Sequence, residues 1–323
     1  MEDGNTEIQQ SYNPKAQNKT LIVVVGPTAI GKTALAIKLA QFYQIEIISA
    51  DSRQFFKEMH IGTAKPSNEE LATAPHHFIN SHSIQTLFST GDFESQALQL
   101  MDELFKKHKV LIMVGGSGLY IDAVCKGLDD LPEIDLSIRE ALNEKLATEG
   151  IESIKKQLQE SDPEYYEKVD QSNPQRMIRG LEVVLSTGKK LSSFLTAKKK
   201  QRPFQIIKIG LNMDRALLYD RINHRVDLMM EAGLLEEAKL LLPHRQYNAL
   251  NTVGYSELFD YFDDKTDLAS AVAMIKQNTR RFAKRQLTWF RRDENTAWFE
   301  PNQVEDIIEH LNAQLQTPNA KLN

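Results

Sequence analysis

The sequence predicts an α/β protein, a P-loop NTPase-like parallel sheet flanked by helices, with an inserted all-helical domain. Three observations predict it. The β-branched apolar run Leu21 to Val25 leads directly into Gly26-Pro27-Thr28-Ala29-Ile30-Gly31-Lys32-Thr33, which satisfies the G-x-x-x-x-G-K-[ST] pattern of a P-loop. Thr33 to Ala40 behind it reads as a helix and Glu46 to Ser52 as a second short strand. The chain therefore opens as strand, loop, helix, strand, the βαβ unit of a parallel sheet. From about Asp129 to Arg202 strand signals vanish, and helical patterns dense in charge replace them.

The elements follow in order. Residues 1–20 are polar, lack the apolar stretch of a signal peptide and read as a disordered lead-in. The glycines of the loop let backbone N–H groups point at an anion, and the helix N-terminus behind it adds its unpaired donors. Lys32 adds a full charge, and Thr33 a hydroxyl for a phosphate or for Mg²⁺. Asp51 ends the second strand, so the loop and Asp51 are expected on one rim, at the carboxyl edge of the sheet. Lys57 to Gly91 is long, polar and turn-rich, which marks a functional loop region. His76, His77 and His82 within it read as solvated or hydrogen-bonded side chains rather than metal ligands.

Asp92 to Lys107 has helical periodicity, and Val110 to Val114 is a buried strand running into Gly115-Gly116-Ser117. Ser117 is thus a third rim residue, with a helix N-cap as its alternative role. The core's first part spans 21–128 and the helical insertion 129–203. Within the insertion, Ser161-Asp162-Pro163-Glu164 reads as a capping box, and a helix bearing Arg176 and Arg179 stops at Thr187-Gly188. Lys198 to Lys200 reads as a flexible basic edge. The core resumes over 204–311 with a strand, Phe204 to Leu211, and then helices. Asp214 to Met230 sets Arg221 and Arg225 one turn apart, able to clamp a diphosphate or simply to face solvent. Leu268 to Arg292 has no acid and seven bases, with Phe282 and Trp289 expected to face the core and the bases to remain free for phosphates. The tail, 312–323, reads as frayed.

Bulk composition bounds the function. At 323 residues, 41% hydrophobic and 26% charged, the chain has material for two domains or for one domain with an insertion. A net charge of −5 excludes a polycation, so nucleic-acid binding must use local basic surfaces. The single cysteine, Cys125, excludes an internal disulfide and a cysteine-built zinc site and fits a reducing cytoplasm. No apolar run reaches membrane-spanning length.

The P-loop alone indicates nucleotide, usually ATP, binding. A P-loop NTPase needs a second acid on Mg²⁺ at a strand end, yet the strand 110–114 ends in Gly115-Gly116. Asp51 can fill that role, giving a kinase or ATPase. It can equally be a general base beside a loop that holds a leaving diphosphate. Spacing leaves both open.

Six motifs then resemble tRNA dimethylallyltransferases, the IPP transferase family. The loop at Gly26 to Thr33 is similar to the family's G-P-T-A-x-G-K-T/S, and Ile48-Ser49-Ala50-Asp51-Ser52-Arg53-Gln54 to I-S-x-D-S-x-Q. Ile61 to Pro66 is similar to I-G-T-A-K-P, and Gly115 to Tyr120 to G-G-T-x-L-Y. Asn173 to Val183 resembles N-x-x-R-x-x-R-A-L-E-V, and Lys284 to Arg291 resembles K-R-Q-x-T-W-F-R. Ser117 replaces the usual threonine, Arg53 a small or apolar residue, and Ser256 a base.

The resemblance implies transfer of a dimethylallyl group from dimethylallyl diphosphate to N6 of the adenosine 3′ to the anticodon, in tRNAs reading codons that begin with U. It makes Asp51 the general base, with Thr33 and Arg225 stabilising the diphosphate, Gly26 to Thr33 around it, and Mg²⁺ held through Thr33. Asp51, Ser52, Arg53, Gln54, Ser117, Arg139 and the segment Gln175, Arg176, Met177, Ile178 and Arg179 would contact tRNA, with the insertion holding the anticodon stem-loop. A monomer is expected. The alternatives are a small-molecule or nucleotide kinase, an adenylate isopentenyltransferase and a non-catalytic RNA-binding protein. A kinase would turn over ATP, and a free-nucleotide enzyme would need no stem-loop clamp.

Overall fold

Thr20–Val25 forms β1, and alternation along it explains why every residue is apolar or buried. Ile22 and Val24 enter one apolar core, and Leu21, Val23 and Val25 enter another on the opposite face. A strand covered on both faces by helices must be hydrophobic throughout. The structure, a computed structural model, describes residues 18–196 and 200–316, apart from the Leu136 side chain. The lead-in before residue 18, Lys198 and Lys199 of the basic edge, and the tail beyond residue 316 lie outside the described residues.

Two compact units are present, 1–126 with 201–323, and 127–200. In the first, β1 is followed by α1 (Lys32–Tyr43), β2 (Ile47–Ser49), α2 (Asn68–Thr73), β3 (His76–His77), α3 (Thr90–Leu104), β4 (Val110–Val114) and α4 (Gly118–Lys126). The second unit holds α5 (Leu136–Glu149), α6 (Ile151–Ser161), α7 (Pro163–Lys168) and α8 (Pro174–Thr187). The first unit then resumes with β5 (Gln205–Leu211), α9 (Arg215–Glu231), α10 (Leu234–Leu241), α11 (Tyr255–Phe262), α12 (Leu268–Phe290), β6 (Thr296–Phe299) and α13 (Val304–Gln316).

The sheet order is β3-β2-β4-β1-β5-β6, and every pairing is parallel. The carboxyl ends of the neighbours β2, β4 and β1 therefore deliver Asp51, Gly115-Gly116-Ser117 and the P-loop to one edge. Two strands escaped the sequence reading. Edge strand β3 has only two residues, and β6 follows a long helix in a region read as helical. Both are too short to show a period. The tail also differs from expectation, since α13 continues to Gln316 and buries Leu311 and Leu315 against the β1–α1 core.

Backbone approach at the rim is close. A Cβ on Gly115 would run into the Ala50 carbonyl, because Ala50 N donates to Val114 O at 2.7 Å and Gly115 N to Val24 O at 3.2 Å. Gly115→Ala is expected to cost about 1–3 kcal/mol by overpacking, read as a lower urea midpoint with unchanged m-value.

The helical unit has its own core of Leu142, Ile154, Leu158, Val169, Met177, Ile178 and Leu181. Its caps differ in one detail from the sequence reading. Ser161 belongs to α6, donating to Gln157 O at 2.6 Å, and Asp162 caps α7 by accepting from Tyr165 N at 3.2 Å. Asp162 is fully buried and also accepts from Ser192 N and Oγ, so the cap doubles as a tie to the 191–193 turn. Asn173 caps α8 with Pro174 in its first turn, and Gly188 ends it in the left-handed region.

Candidate active site

At the edge formed by β1, β2 and β4 lies a cavity of 490 Å³. The P-loop contributes Thr28, Ala29, Gly31, Lys32 and Thr33, and α9 contributes Arg221 and Arg225. Ser49, Asp51, Gln54, Glu70 and His76 also line it, so cationic and acidic groups share one space. A second cavity of 230 Å³ shares Thr28, Ala29, Asp51, Thr63 and Arg225 with the first. It adds Ser52, Arg53 and Ser117 on its polar side and Ile222, Val226, Met229, Leu234, Ile275 and Phe282 on its apolar side. A cavity bearing Lys32, Arg221 and Arg225 and an apolar pocket thus meet at Asp51 and Arg225.

Not all eight P-loop residues face the cavity. Gly31, at φ 104, takes the left-handed turn before α1. Ile30 is fully buried in the core, and Gly26 and Pro27 are buried beneath the loop. Pro27 O accepts from Lys32 Nζ at 2.8 Å, and Arg221 Nε donates to Ala29 O at 3.0 Å. The Thr28 N–H is committed to Gln286 Oε1 at 2.8 Å. Lys32 is lowered to about 8 by burial, with Asp51 opposing that shift and Arg225 reinforcing it. Burial likewise lowers Arg225 below the ordinary arginine value against the pull of Asp51.

An ammonium held near 8 is protonated below that pH and neutral above it. Affinity for a diphosphate monoester, measured without divalent metal, is therefore expected to be flat from about pH 7, where the ligand itself is fully ionised, up to pH 8. Above it the affinity should fall by up to about tenfold per unit, and Lys32→Met should abolish this limb.

The residues after β2 are held by one another. Asp51 Oδ1 accepts from Arg53 N at 3.0 Å, which fixes the carboxylate. Ser117 Oγ accepts from Ser52 N at 2.9 Å and donates to Ser52 Oγ at 3.0 Å, so its hydroxyl joins two loops instead of capping α4. The Arg53 guanidinium reaches Asn248 O and Asn251 O, both at 3.3 Å. Gln54 Nε2 donates to Thr63 O and Ala64 O, each at 3.2 Å. His77 pairs with Glu46 at 2.6 Å, and His82 stacks on Phe88 with ring centroids 3.9 Å apart. No trio of His, Cys, Asp and Glu gathers as a metal cluster among the described residues.

Two supporting residues were invisible to motif reading. Gln286, buried on α12, accepts from the Thr28 N–H and donates from Nε2 to Gly116 O at 2.9 Å, bridging the P-loop to the loop after β4. Glu237, on α10, accepts from the N–H groups of His60, Ile61 and Gly62 at 3.0, 2.8 and 3.0 Å and from Tyr255 Oη at 2.6 Å. It thereby sets the 60–66 loop. Burial, with Glu237 beside it, pushes the Tyr255 hydroxyl far above the ordinary tyrosine value, so it remains a donor. The only hint in sequence was that Gln286 sits inside the Lys284–Arg291 motif.

The basic helix α12 also differs from expectation. Phe282 is 38% exposed and faces the apolar pocket, while Ala283, Gln286 and Phe290 form the buried face. Trp289 does pack toward the core, its Nε1 donating to Asp122 Oδ2 at 3.0 Å. The bases are not all free. Lys276 pairs with Asp227 at 2.5 Å, Arg280 donates to Asn223 Oδ1 at 2.6 Å and Arg281 to Asn278 Oδ1 at 3.2 Å. Lys284, Arg285, Arg291 and Arg292 are exposed.

In the helical unit, Glu182 is buried and takes both Arg139 and Arg179, Arg139 through two nitrogens and Arg179 at 3.3 Å. Met177 and Ile178 turn into the unit's core, fully buried, and offer no surface to RNA. Gln175 and Arg176 are exposed, and Arg139 and Arg179 keep 41% and 35% of their side chains accessible.

The comparisons with known proteins bear on this geometry. The chain is 56% identical to the tRNA dimethylallyltransferase of Christiangramia forsetii over 298 residues, covering 92% of this chain and 99% of that one. It is 53% identical to the tRNA dimethylallyltransferase of Flavobacterium johnsoniae, covering 90% and 96%. Among solved structures it resembles the full-length tRNA isopentenylpyrophosphate transferase of Bacillus halodurans, with TM-score 0.69, 36% identity and coverage of 93% and 97%. It also resembles a eukaryotic dimethylallyltransferase acting on tRNA, with TM-score 0.75, 25% identity and coverage of 89% and 75%. The sequence model of the IPP transferase family matches residues 54–293. With the P-loop and Asp51 on one rim and relatives alike over nearly their full length, this chain belongs to the IPP transferase family.

Proposed function

We propose that this protein is a tRNA dimethylallyltransferase, moving the five-carbon group of dimethylallyl diphosphate to N6 of the adenosine beside the anticodon. The carrying observation is that Asp51 and Arg225 belong to both cavities, the one lined by the cations Lys32, Arg221 and Arg225 and the one with apolar walls. A phosphate-transferring kinase would use an apolar pocket opening on its catalytic acid only for an acceptor with an apolar part. A prenyl transferase needs that pocket for the alkyl group and the incoming base.

In the reaction, the N6 lone pair forms a bond to C1 of the dimethylallyl group as the C1–O bond breaks. The electron pair of that bond leaves with diphosphate, and the N6 proton passes to Asp51. The exocyclic amine is a poor nucleophile, so removing its proton as the bond forms lowers the barrier. Charge grows on the departing diphosphate, where the Lys32 ammonium, the Arg225 guanidinium and the Thr33 hydroxyl, which all line the cavity, would stabilise it. The target base must leave its stack to reach this site. Asp51 to Gln54 and Ser117 would line its path, and Gln175, Arg176, Arg139 and Arg179 would meet the anticodon stem-loop.

The residues fit Mg²⁺ in the form in which it keeps most of its water. The cavity offers the Thr33 hydroxyl and the carboxylates of Asp51 and Glu70, and Mg²⁺ with a phosphate substrate needs few protein oxygens. The Thr33 hydroxyl would hold it together with the diphosphate. When bound, the ion neutralises charge on the leaving group. The test is incubation of unmodified tRNA with dimethylallyl diphosphate, followed by nucleoside analysis. N6-dimethylallyladenosine in tRNA is expected, and turnover of ATP, or of free AMP in place of tRNA, would overturn the reading.

A further inference from the structure

One buried charge has no task in this scheme, the carboxylate of Glu182 in the helical unit. It stands on α8 between Leu181 and Val183, with 1% of its side chain exposed. Among the described residues its oxygens accept only from two arginines. Arg139, on α5, donates from Nε to Oε1 and from Nη2 to Oε2, the latter at 3.0 Å. Arg179, one turn earlier on α8, donates from Nη1 to the same Oε2 at 3.3 Å. Two guanidinium groups that would otherwise repel each other are thus gathered on one oxygen. A guanidinium carries five N–H groups, and the side-on grip on Glu182 spends two of those on Arg139, leaving three. The single bond of Arg179 leaves four. Both side chains stay partly open to solvent, and Gln175 and Arg176, one turn back on α8, are exposed.

Stability does not ask for this arrangement. A buried carboxylate held by arginines returns little more than its desolvation costs, and an apolar side chain of similar size commonly serves as well. The unit's core lies directly alongside, in Ile178 and Leu181. What the carboxylate supplies is order. A free arginine side chain has many rotamers, and fixing it on a ligand costs affinity. Arg139 and Arg179 have part of that ordering settled before any ligand arrives, and the fork of each guanidinium matches phosphate oxygens. One carboxylate against two guanidinium groups leaves positive charge in excess, so an anion is still attracted. We propose that Glu182 is a positioning residue for tRNA, holding the Arg139 and Arg179 guanidinium groups as a pre-ordered pair for the backbone phosphates of the anticodon stem-loop. This rests on the tRNA reading of the helical unit. Glu182 itself, being buried, touches no nucleotide.

The test is filter binding of unmodified tRNA to the full chain over a range of salt concentrations. Glu182→Met and Glu182→Gln each make the net charge more positive by the same amount. If Glu182 only offset the arginines, both variants would bind tRNA more tightly and with a steeper salt dependence. Loss of a positioning residue acts in the opposite direction. Glu182→Met is expected to weaken tRNA binding about tenfold and to make the salt dependence shallower, with kcat at saturating tRNA unchanged. Glu182→Gln keeps an oxygen that can accept from Arg139 and should recover part of the loss. Arg139→Ala should cost affinity in the unsubstituted protein and little in the Glu182→Met background. The proposal is overturned if Glu182→Met binds tRNA as tightly as the unsubstituted protein or more tightly, or if the Arg139 and Glu182 effects simply add. Should Glu182→Met fail to fold, Glu182→Gln decides alone. Weaker binding despite the gained positive charge supports the proposal, and equal or tighter binding overturns it. Failure of the unsubstituted protein to bind tRNA would instead sink the proposed function, and this inference with it.

Discussion

Asp51→Asn is expected to lower kcat for dimethylallyl transfer by about 10²–10⁴-fold while tRNA is still bound, with a far smaller change in affinity because Asp51 is one of several residues along the base's path. Asparagine retains the oxygen that accepts from Arg53 N, so the loop after β2 keeps its shape. What is lost is the charge and the basicity that, in the proposed reaction, take the N6 proton. The substitution carries a second signature. Asp51 raises the Lys32 pKa, so its neutralisation should move the pH limb of diphosphate binding to lower pH. Single-turnover rates and filter-binding of tRNA separate the two effects. Turnover at the unsubstituted rate would eliminate Asp51 as the general base.

Arg225→Gln is expected to reduce kcat/KM for dimethylallyl diphosphate by about 10²–10³-fold, the size of effect seen when one fixed donor to a developing anion is removed. Arg225→Lys should recover part of this, since it keeps the charge and loses the planar fork. One turn away, Arg221 makes a useful contrast. It donates to Ala29 O and so acts partly by holding the loop. Arg221→Gln should therefore show a smaller loss, weighted toward KM. Equal losses at the two positions would argue that neither is specific to the transition state.

The rim was legible in sequence because its signals are local. A P-loop, a strand ending in Asp51 and a strand ending in Gly-Gly-Ser each announce themselves within ten residues, and parallel pairing then brings strand ends together. The braces were illegible because their partners are remote. Gln286 reaches Thr28 across 258 positions, and Glu237 reaches Ile61 across 176. Neither distance leaves a trace in periodicity. The stretch 175–179 fails for a different reason. A motif is read as a continuous string, but a helix sends neighbouring side chains to different faces, so Met177 and Ile178 point inward between the exposed Arg176 and the half-exposed Arg179. Phe282 is the converse, an aromatic whose helical position faces a cavity instead of a core.

The brace from Gln286 to Thr28 and Gly116 bears on how the protein is made. The chain leaves the ribosome from its N-terminus, and domains fold as units while they emerge. The P-loop is synthesised near the start, yet the residue that fastens it arrives some 250 positions later. β1 likewise waits for β5 before its second edge is paired. The helical unit in between has a core of its own and contacts that are close in sequence, so it can mature while the sheet before it is still open. A nascent chain arrested before α12 would carry every residue of the phosphate loop without the geometry to use it. Competence for catalysis would then come only once α12 has emerged.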